Sequence, residues 1–307
     1  MLLLLFFLTL IAGAVIPLQT SINARLHQFT HSSFYTSALS FLVGTSTLAI
    51  IIFFFQPHYF SPHTLSTFKV DARWGVGGLM GVIFLTGNLL LLPRIGASLT
   101  VVTTLSGQLI MGMMIDTLGW FHLPIRPLTV AKILGLVLLF FGILLMNLSS
   151  KQMNKQLKNA IWLPLGVLFG VAPPIQTAIN SSLSQLTHSS LFAAFISFLV
   201  GTLTLFLLTL LFHRRFKIDK TDEKSKPLHW WYFTGGALGA LFVTMNIIVA
   251  PVLGITVSLI IVMLGQIIMG ICIDHFGWLG TQKQPIHTQR LIGLICIIIA
   301  ILLIQLT

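Results

Sequence analysis

Residues 17–48 of this chain recur 157 positions further on, with 19 of 32 positions identical. The shift lays Pro17 on Pro174, Gln19 on Gln176 and Asn23 on Asn180. It repeats Thr30–His31–Ser32–Ser33 at Thr187–His188–Ser189–Ser190, and the stretch Ser40–Thr45 at Ser197–Thr202. One extra residue then enters, and a shift of 158 lays Gly77–Gly78 on Gly235–Gly236, Asn88 on Asn246, Pro93 on Pro251 and Gly96 on Gly254. The same shift lays Gly107–Gln108 on Gly265–Gln266, Asp116 on Asp274 and Gly119–Trp120 on Gly277–Trp278. So long a period implies two halves, not a stack of short repeats. Whatever one half folds into, the chain makes twice, as units 1–150 and 159–307 joined at 151–158.

Only 7% of the 307 residues are charged and 56% are hydrophobic. Soluble domains carry about 25% charge, so the apolar surface of this chain must face lipid. A spanning helix takes about 20 apolar residues. Such runs fall at 2–22, 33–55, 73–92, 97–116 and 129–148, and again at 159–180, 190–212, 230–250, 253–273 and 290–306. They are continuously apolar, whereas barrel strands alternate with period two. The expected fold is an all-α membrane protein of ten transmembrane helices. Five spans per half is odd, so the second copy enters the membrane from the opposite side. The result is an inverted repeat, a recurrent plan of secondary transporters.

The net charge of +11 comes from 17 Lys and Arg against 6 Asp and Glu. These charges lie between apolar runs, which fits the positive-inside rule better than nucleic-acid binding. One side holds thirteen: Arg25, Arg94, Lys151, Lys155, Lys158, Arg214, Arg215, Lys217, Lys220, Lys224, Lys226, Lys283 and Arg290. The other holds Lys69, Arg73, Arg126 and Lys132. Both termini are therefore expected on the non-cytoplasmic side, although the first half alone leans weakly the other way. Cys272 and Cys296 lie in apolar runs and imply no disulfide or metal framework. The start, Met1–Val15, has the apolar run of a signal peptide but no basic n-region, and it matches an internal helix; it reads as a retained first span.

Polar residues at membrane depth need a reason, because a charge at the centre of a span costs roughly 2.5–3.5 kcal/mol on insertion scales. Three paired sets stand out. Gln19 and Asn23, with Gln176 and Asn180, lie i, i+4 on one helix face beside Pro17 and Pro173–Pro174. They read as an amide-lined substrate site, or as hydrogen-bond glue between helices. Asn88 and Asn246 read as substrate contacts, or as caps of the turns before Pro93 and Pro251. Gln108 and Gln266 open a stripe that passes Gly112 or Gly270 and ends on Asp116 or Asp274. The Gln pair reads as substrate ligands. The Asp pair reads as an ion-coupling relay, or as interfacial anchors beside Gly and Trp. His31 and His188 sit in helix-start sequences where Ser and Thr serve as N-caps.

No catalytic or metal-binding constellation is present: no P-loop, no HExxH and no G-x-S-x-G elbow. The combination P-x-Q-T-x-x-N, S-F-x-x-G, then G-Q-x-x-x-G-x-x-x-D-x-x-G-W resembles the YdcZ-like (DUF606) branch of the drug/metabolite transporter superfamily. Pro17, Gln19, Asn23, Ser40, Phe41, Gly44, Gly96, Gly107, Gln108, Asp116 and Gly119, with their second-half partners, carry that resemblance. It implies a drug/metabolite-transporter fold in a bacterial inner membrane, with two five-helix units fused, and an exporter function. The superfamily's small multidrug exporters use a Glu in the first helix; here Gln19 and Gln176 stand in spans one and six, with no acid. The expected function is secondary transport of a small metabolite or drug-like solute by alternating access. The other reading is a non-transporting membrane scaffold or assembly partner. Expected partners are a small-molecule substrate and the lipid bilayer; protons or another coupling ion, and a homodimer, stay open. Neither cofactor nor nucleic acid is expected.

Overall fold

In lipid, every backbone N–H and C=O must be satisfied within the protein, and a continuous apolar run does this by forming a helix. The computed structural model describes residues 2–67, 73–147, 161–213, 216–221, 227–280 and 288–305, and these are helical with no strand among them apart from one isolated bridge, Thr221 to Pro227. The helices are α1 (Leu2–Thr30), α2 (Ser33–Phe55), the short α3 (Pro62–Thr67), α4 (Arg73–Leu118) and α5 (Val130–Asn147). The second half supplies α6 (Trp162–Gly170), α7 (Ala172–Thr187), α8 (Ser190–Phe212), α9 (Gly235–Leu253), α10 (Ile255–Phe276) and α11 (Thr288–Gln305). Eight segments are long and apolar enough to cross a membrane, and Val130–Leu145 and Leu291–Ala300 are shorter apolar helices. Among the loop cations, Lys69, Lys151, Lys155, Lys158, Arg214, Arg215, Lys224, Lys226 and Lys283 lie outside the described residues, as does the junction 151–158.

The elements depart from the sequence-based spans in three places. Runs 73–92 and 97–116 form one continuous helix, α4. The equivalent stretch of the second half breaks at Gly254, whose φ of 91° suits glycine, and separates α9 from α10. The run 159–180 is split at Val171 into α6 and α7, with Pro173 in the first turn of α7, where a missing N–H costs nothing. Helices α1 and α7 run past the expected ends at 22 and 180, to Thr30 and Thr187, where the Thr-His-Ser-Ser motif begins. There Ser32 and Ser189 cap the next helix by accepting the amides of Tyr35 at 3.3 Å and Phe192 at 3.1 Å. His31 and His188 take the left-handed backbone of the reversal, with φ of 52° and 56°.

The halves interlock. The first helix of each half packs on the third and fourth helices of the other: α1 on α9 and α10, and α6–α7 on α4. The second helices, α2 and α8, pack on each other, as do the fifth, α5 and α11. Glycine makes these approaches close enough. A methyl group at Gly13 would overlap the carbonyl of Val262, and one at Gly170 the carbonyl of Thr104. Large side chains such as Leu3, Phe54 and Leu134 are exposed on the outside, as a lipid-facing surface requires. The main core joins residues of both halves, from Leu105 and Ile115 to Ile260 and Met263.

Candidate functional site

Contacts across the centre obey the repeat. Thr45 and Thr202, 157 positions apart, place their hydroxyls 2.9 Å from each other. Each also lies within bonding distance of the carbonyl four residues back, Phe41 O at 2.9 Å and Phe198 O at 2.8 Å. The rings of Phe41 and Phe198 stand 4.8 Å apart, tilted by 30°. A methyl at Gly44 would overlap Phe198, and one at Gly201 would overlap Phe41. Gly77 lies against Asn180 Oδ1, and Gly235 against Asn23 Oδ1. Gly81 lies against Gln176, and Gly239 against Gln19. Exchanging the two halves thus maps these contacts onto one another.

Between the halves lies a cavity of about 220 Å³. Six pairs of equivalent residues line it: Gln19/Gln176, Phe41/Phe198, Gly81/Gly239, Phe84/Phe242, Leu85/Val243 and Gln108/Gln266. Beyond these pairs, the lining belongs to the first half alone, including Thr20, Asn23, Asn88, Leu89, Thr100, Val101 and Thr104. The equivalents of Asn88, Leu89, Thr100, Val101 and Thr104 are Asn246, Ile247, Ser258, Leu259 and Val262, and all five are buried in packing. Val101 is 38% exposed where Leu259 is 5% exposed. Beyond the six pairs, the cavity therefore extends along the first half alone.

Of the eight amides singled out from the sequence, the fold brings six to this cavity: Gln19, Asn23, Asn88, Gln108, Gln176 and Gln266. Asn23 donates to Ser40 Oγ at 3.2 Å and Gln176 to Ser197 Oγ at 3.2 Å, so the two equivalent serines are engaged by non-equivalent amides. Gln19, Asn88, Gln108 and Gln266 make no side-chain hydrogen bond among the described residues, so their donors and acceptors are available to the cavity. Asn180 and Asn246 do not line it. Asn180 is fully buried against Gly77, with neither side-chain atom hydrogen-bonded, and Asn246 donates to its own helix at Phe242 O, 2.9 Å.

Asp116 lies elsewhere. Its carboxylate accepts the amides of Ile255 at 2.8 Å and Thr256 at 2.7 Å, the first two residues of α10. An anion at a helix N-terminus is stabilised by the exposed N–H groups and the helix dipole. Arg126 adds a second tie at this end, donating from Nη2 to Val252 O at 2.6 Å, while its backbone amide donates to Asp116 O at 2.8 Å. Gly254 is kept side-chain-free by both neighbours: a methyl there would meet Arg126 Cδ at 2.7 Å and Asp116 Oδ2 at 3.3 Å. The side chain of Asp274 lies outside the described residues. Among the described residues, no group of His, Cys, Asp or Glu is placed to hold a metal ion. Sequence reasoning missed Phe41 and Phe198 as cavity walls and Asp116 as a cap; the repeated S-F-L-V-G-T carried the first signal, whereas no local pattern identifies a capping partner 139 residues away.

A multi-pass helical membrane protein with a largely apolar, amide-bearing cavity between two interlocked halves has the build of a solute transporter. The family model described as "Putative inner membrane exporter, YdcZ" matches residues 4–145 and again 161–303. The chain belongs to this family, with two of its units fused, and it is a multi-pass protein of the inner membrane; the family is one of exporters and not of enzymes. No curated protein matches the sequence. A solved crystal structure is similar to this chain with a TM-score of 0.66, covering 99% of this chain and 96% of its own at 12% identity, which shows a shared fold alone.

Proposed function

We propose that this protein is a secondary transporter that moves a small solute by alternating access, with the cavity between its halves as the solute site. The observation that carries this reading is the availability of Gln19, Asn88, Gln108 and Gln266. Amides acting as glue between helices would be bonded to neighbours and leave no space. Here four of them face a void, and polar groups in such a place call for a partner. The same observation weighs against a scaffold.

The reading takes the halves, 1–150 and 159–307, as an inverted repeat of five helices each, ten in all, with both termini on the non-cytoplasmic side. Equivalent residues then lie at opposite ends of the molecule. The end holding Asn88, Thr100 and Thr104, near Arg25 and Arg94, is the cytoplasmic one, and the cavity opens there. The opposite end is shut by packing around Asn246 and Leu259 and by the tie from Asp116 to α10. The opposite-facing state exchanges these arrangements, with Asp274 the counterpart of Asp116. Both oxygens of Asp116 accept amides of α10, and ion coupling through the Asp pair would act where that tie opens.

Purified protein in liposomes tests the reading. Uptake of at least one member of a broad metabolite library, dependent on Gln108 and Gln266, is expected. No movement of any member, with or without a pH gradient, would overturn it.

A further inference from the structure

The walls of the cavity are specific about charge. None of its lining residues is acidic, basic or histidine; its polar members are amides and hydroxyls, and the rest are aliphatic or aromatic. A charged solute seated in the cavity would lose hydration and meet no counter-charge among the lining residues, and an unpaired charge in such a site is far costlier than a neutral polar group. The amides favour the opposite kind of ligand. Each presents one carbonyl acceptor and two N–H donors on a planar group. A neutral solute with an adjacent donor and acceptor pairs edge to edge with the carbonyl and one N–H of such an amide.

The apolar part of the lining adds shape. Phe41, Phe84, Phe198 and Phe242 come as two equivalent pairs, and the Phe41 and Phe198 rings meet at 4.8 Å. Aromatic walls favour a ring that stacks or meets them edge-on. A cavity of about 150 Å³ holds benzene. At about 220 Å³ this one accommodates one ring with substituents, or two small fused rings.

We infer that the solute is a neutral, ring-bearing molecule with an amide-type donor–acceptor edge, read by Gln108 and Gln266 with Gln19 and Asn88. The inference rests on the transport reading only in taking the cavity as the solute site.

The test uses the full-length protein in liposomes and a size-matched set of radiolabelled probes: benzamide and uracil as neutral amides, benzoate as the anion and benzylammonium as the cation. Equilibrium binding and flux are measured on the same vesicles. At least one neutral amide should bind ten or more times tighter than both ions. Gln108→Leu and Gln266→Leu should each weaken it about tenfold, the equivalent of about 1.4 kcal/mol. Gln108→Glu, which places a carboxylate in the wall, should shift the preference towards benzylammonium. Equal or tighter binding of benzoate or benzylammonium to the unaltered protein overturns the inference. So does failure of both neutral probes to bind, or binding indifferent to all three substitutions. The two claims separate cleanly: amide binding without flux removes transport and keeps the solute class, whereas flux of an ion at the expense of the amides does the reverse.

Discussion

Replacing Asp116 with alanine removes the tie between the first half and α10. Two charge-assisted hydrogen bonds, at 2.8 and 2.7 Å, are lost, and the amides of Ile255 and Thr256 stay buried without an acceptor. Hydrogen bonds to charged groups contribute about 1.5–3 kcal/mol each, and loss of a helix cap costs about 0.5–2 kcal/mol. Two such bonds sum to about 3–6 kcal/mol and a cap alone to about 0.5–2 kcal/mol, so we take an intermediate value of about 2–3 kcal/mol for the whole change. That cost falls only on the state in which α10 is tied. The equilibrium between tied and released states should therefore shift about 30- to 150-fold. Asp116→Asn keeps one carbonyl acceptor and should give roughly half the energy. The assay is a pulsed-resonance distance between spin labels at Leu118→Cys and Val252→Cys, both exposed positions, with Cys272 and Cys296 replaced by alanine. Asp116→Ala should enrich a longer-distance population, with Asp116→Asn between it and the parent. A distribution unchanged in Asp116→Ala, alongside a lowered melting temperature, would make Asp116 a static cap and refute its role in gating.

Other perturbations read the same architecture. Gly77→Ala and Gly235→Ala push methyl groups onto Asn180 and Asn23, at about 1–3 kcal/mol of overpacking each. Gly77→Ala should lower the melting temperature more, because Asn180 is fully buried whereas Asn23 borders the cavity and can yield. Thr45→Val and Thr202→Val should each cost about 0.5–1.5 kcal/mol by the same thermal assay, and nearly equally, since either hydroxyl serves the same contact. In the loop after α8, Asp219 is held below the ordinary carboxylate pKa of about 3.9 by the Lys217 ammonium, 2.9 Å away, with His31 close by at 3.4 Å. A depressed pKa contributes stability that is present above that ordinary value and lost as pH falls through the lowered one. Hydrogen exchange at the Asp219 amide, which donates to Phe29 O, should therefore exceed its intrinsic rate change only on acidification below that range.

The duplication was legible because identical residues stand at an offset of 157, then 158, along nearly the whole chain. It directed attention to paired amides, and six of the eight meet at the cavity because equivalent helices cross at the centre. The separation of Asn88 from Asn246 was not legible. The two residues are the same type in matching sequence, yet one faces space and the other bonds to its own helix. The difference comes from the packing around each residue, which the repeat does not encode. The fusion of two expected spans into α4, against the break at Gly254, was hidden in the same way: Gly96 and Gly254 are equivalent, and of the two only Gly254 takes a positive φ. The interlocking of α1 with α9 and α10 was hidden too, because hydropathy marks a helix as lipid-spanning without naming its neighbours.

Alternating access makes a demand that needs no knowledge of the solute. Thr104 borders the cavity and is 3% exposed, packed so that only the cavity leads to it. A Thr104→Cys protein without its native cysteines, held in oriented vesicles, can be challenged with a membrane-impermeant thiol reagent from either side. The account predicts labelling from the cytoplasmic side at once and from the opposite side more slowly, with Asp116→Ala accelerating the second. Labelling confined to one side, in the parent and in Asp116→Ala alike, would contradict it.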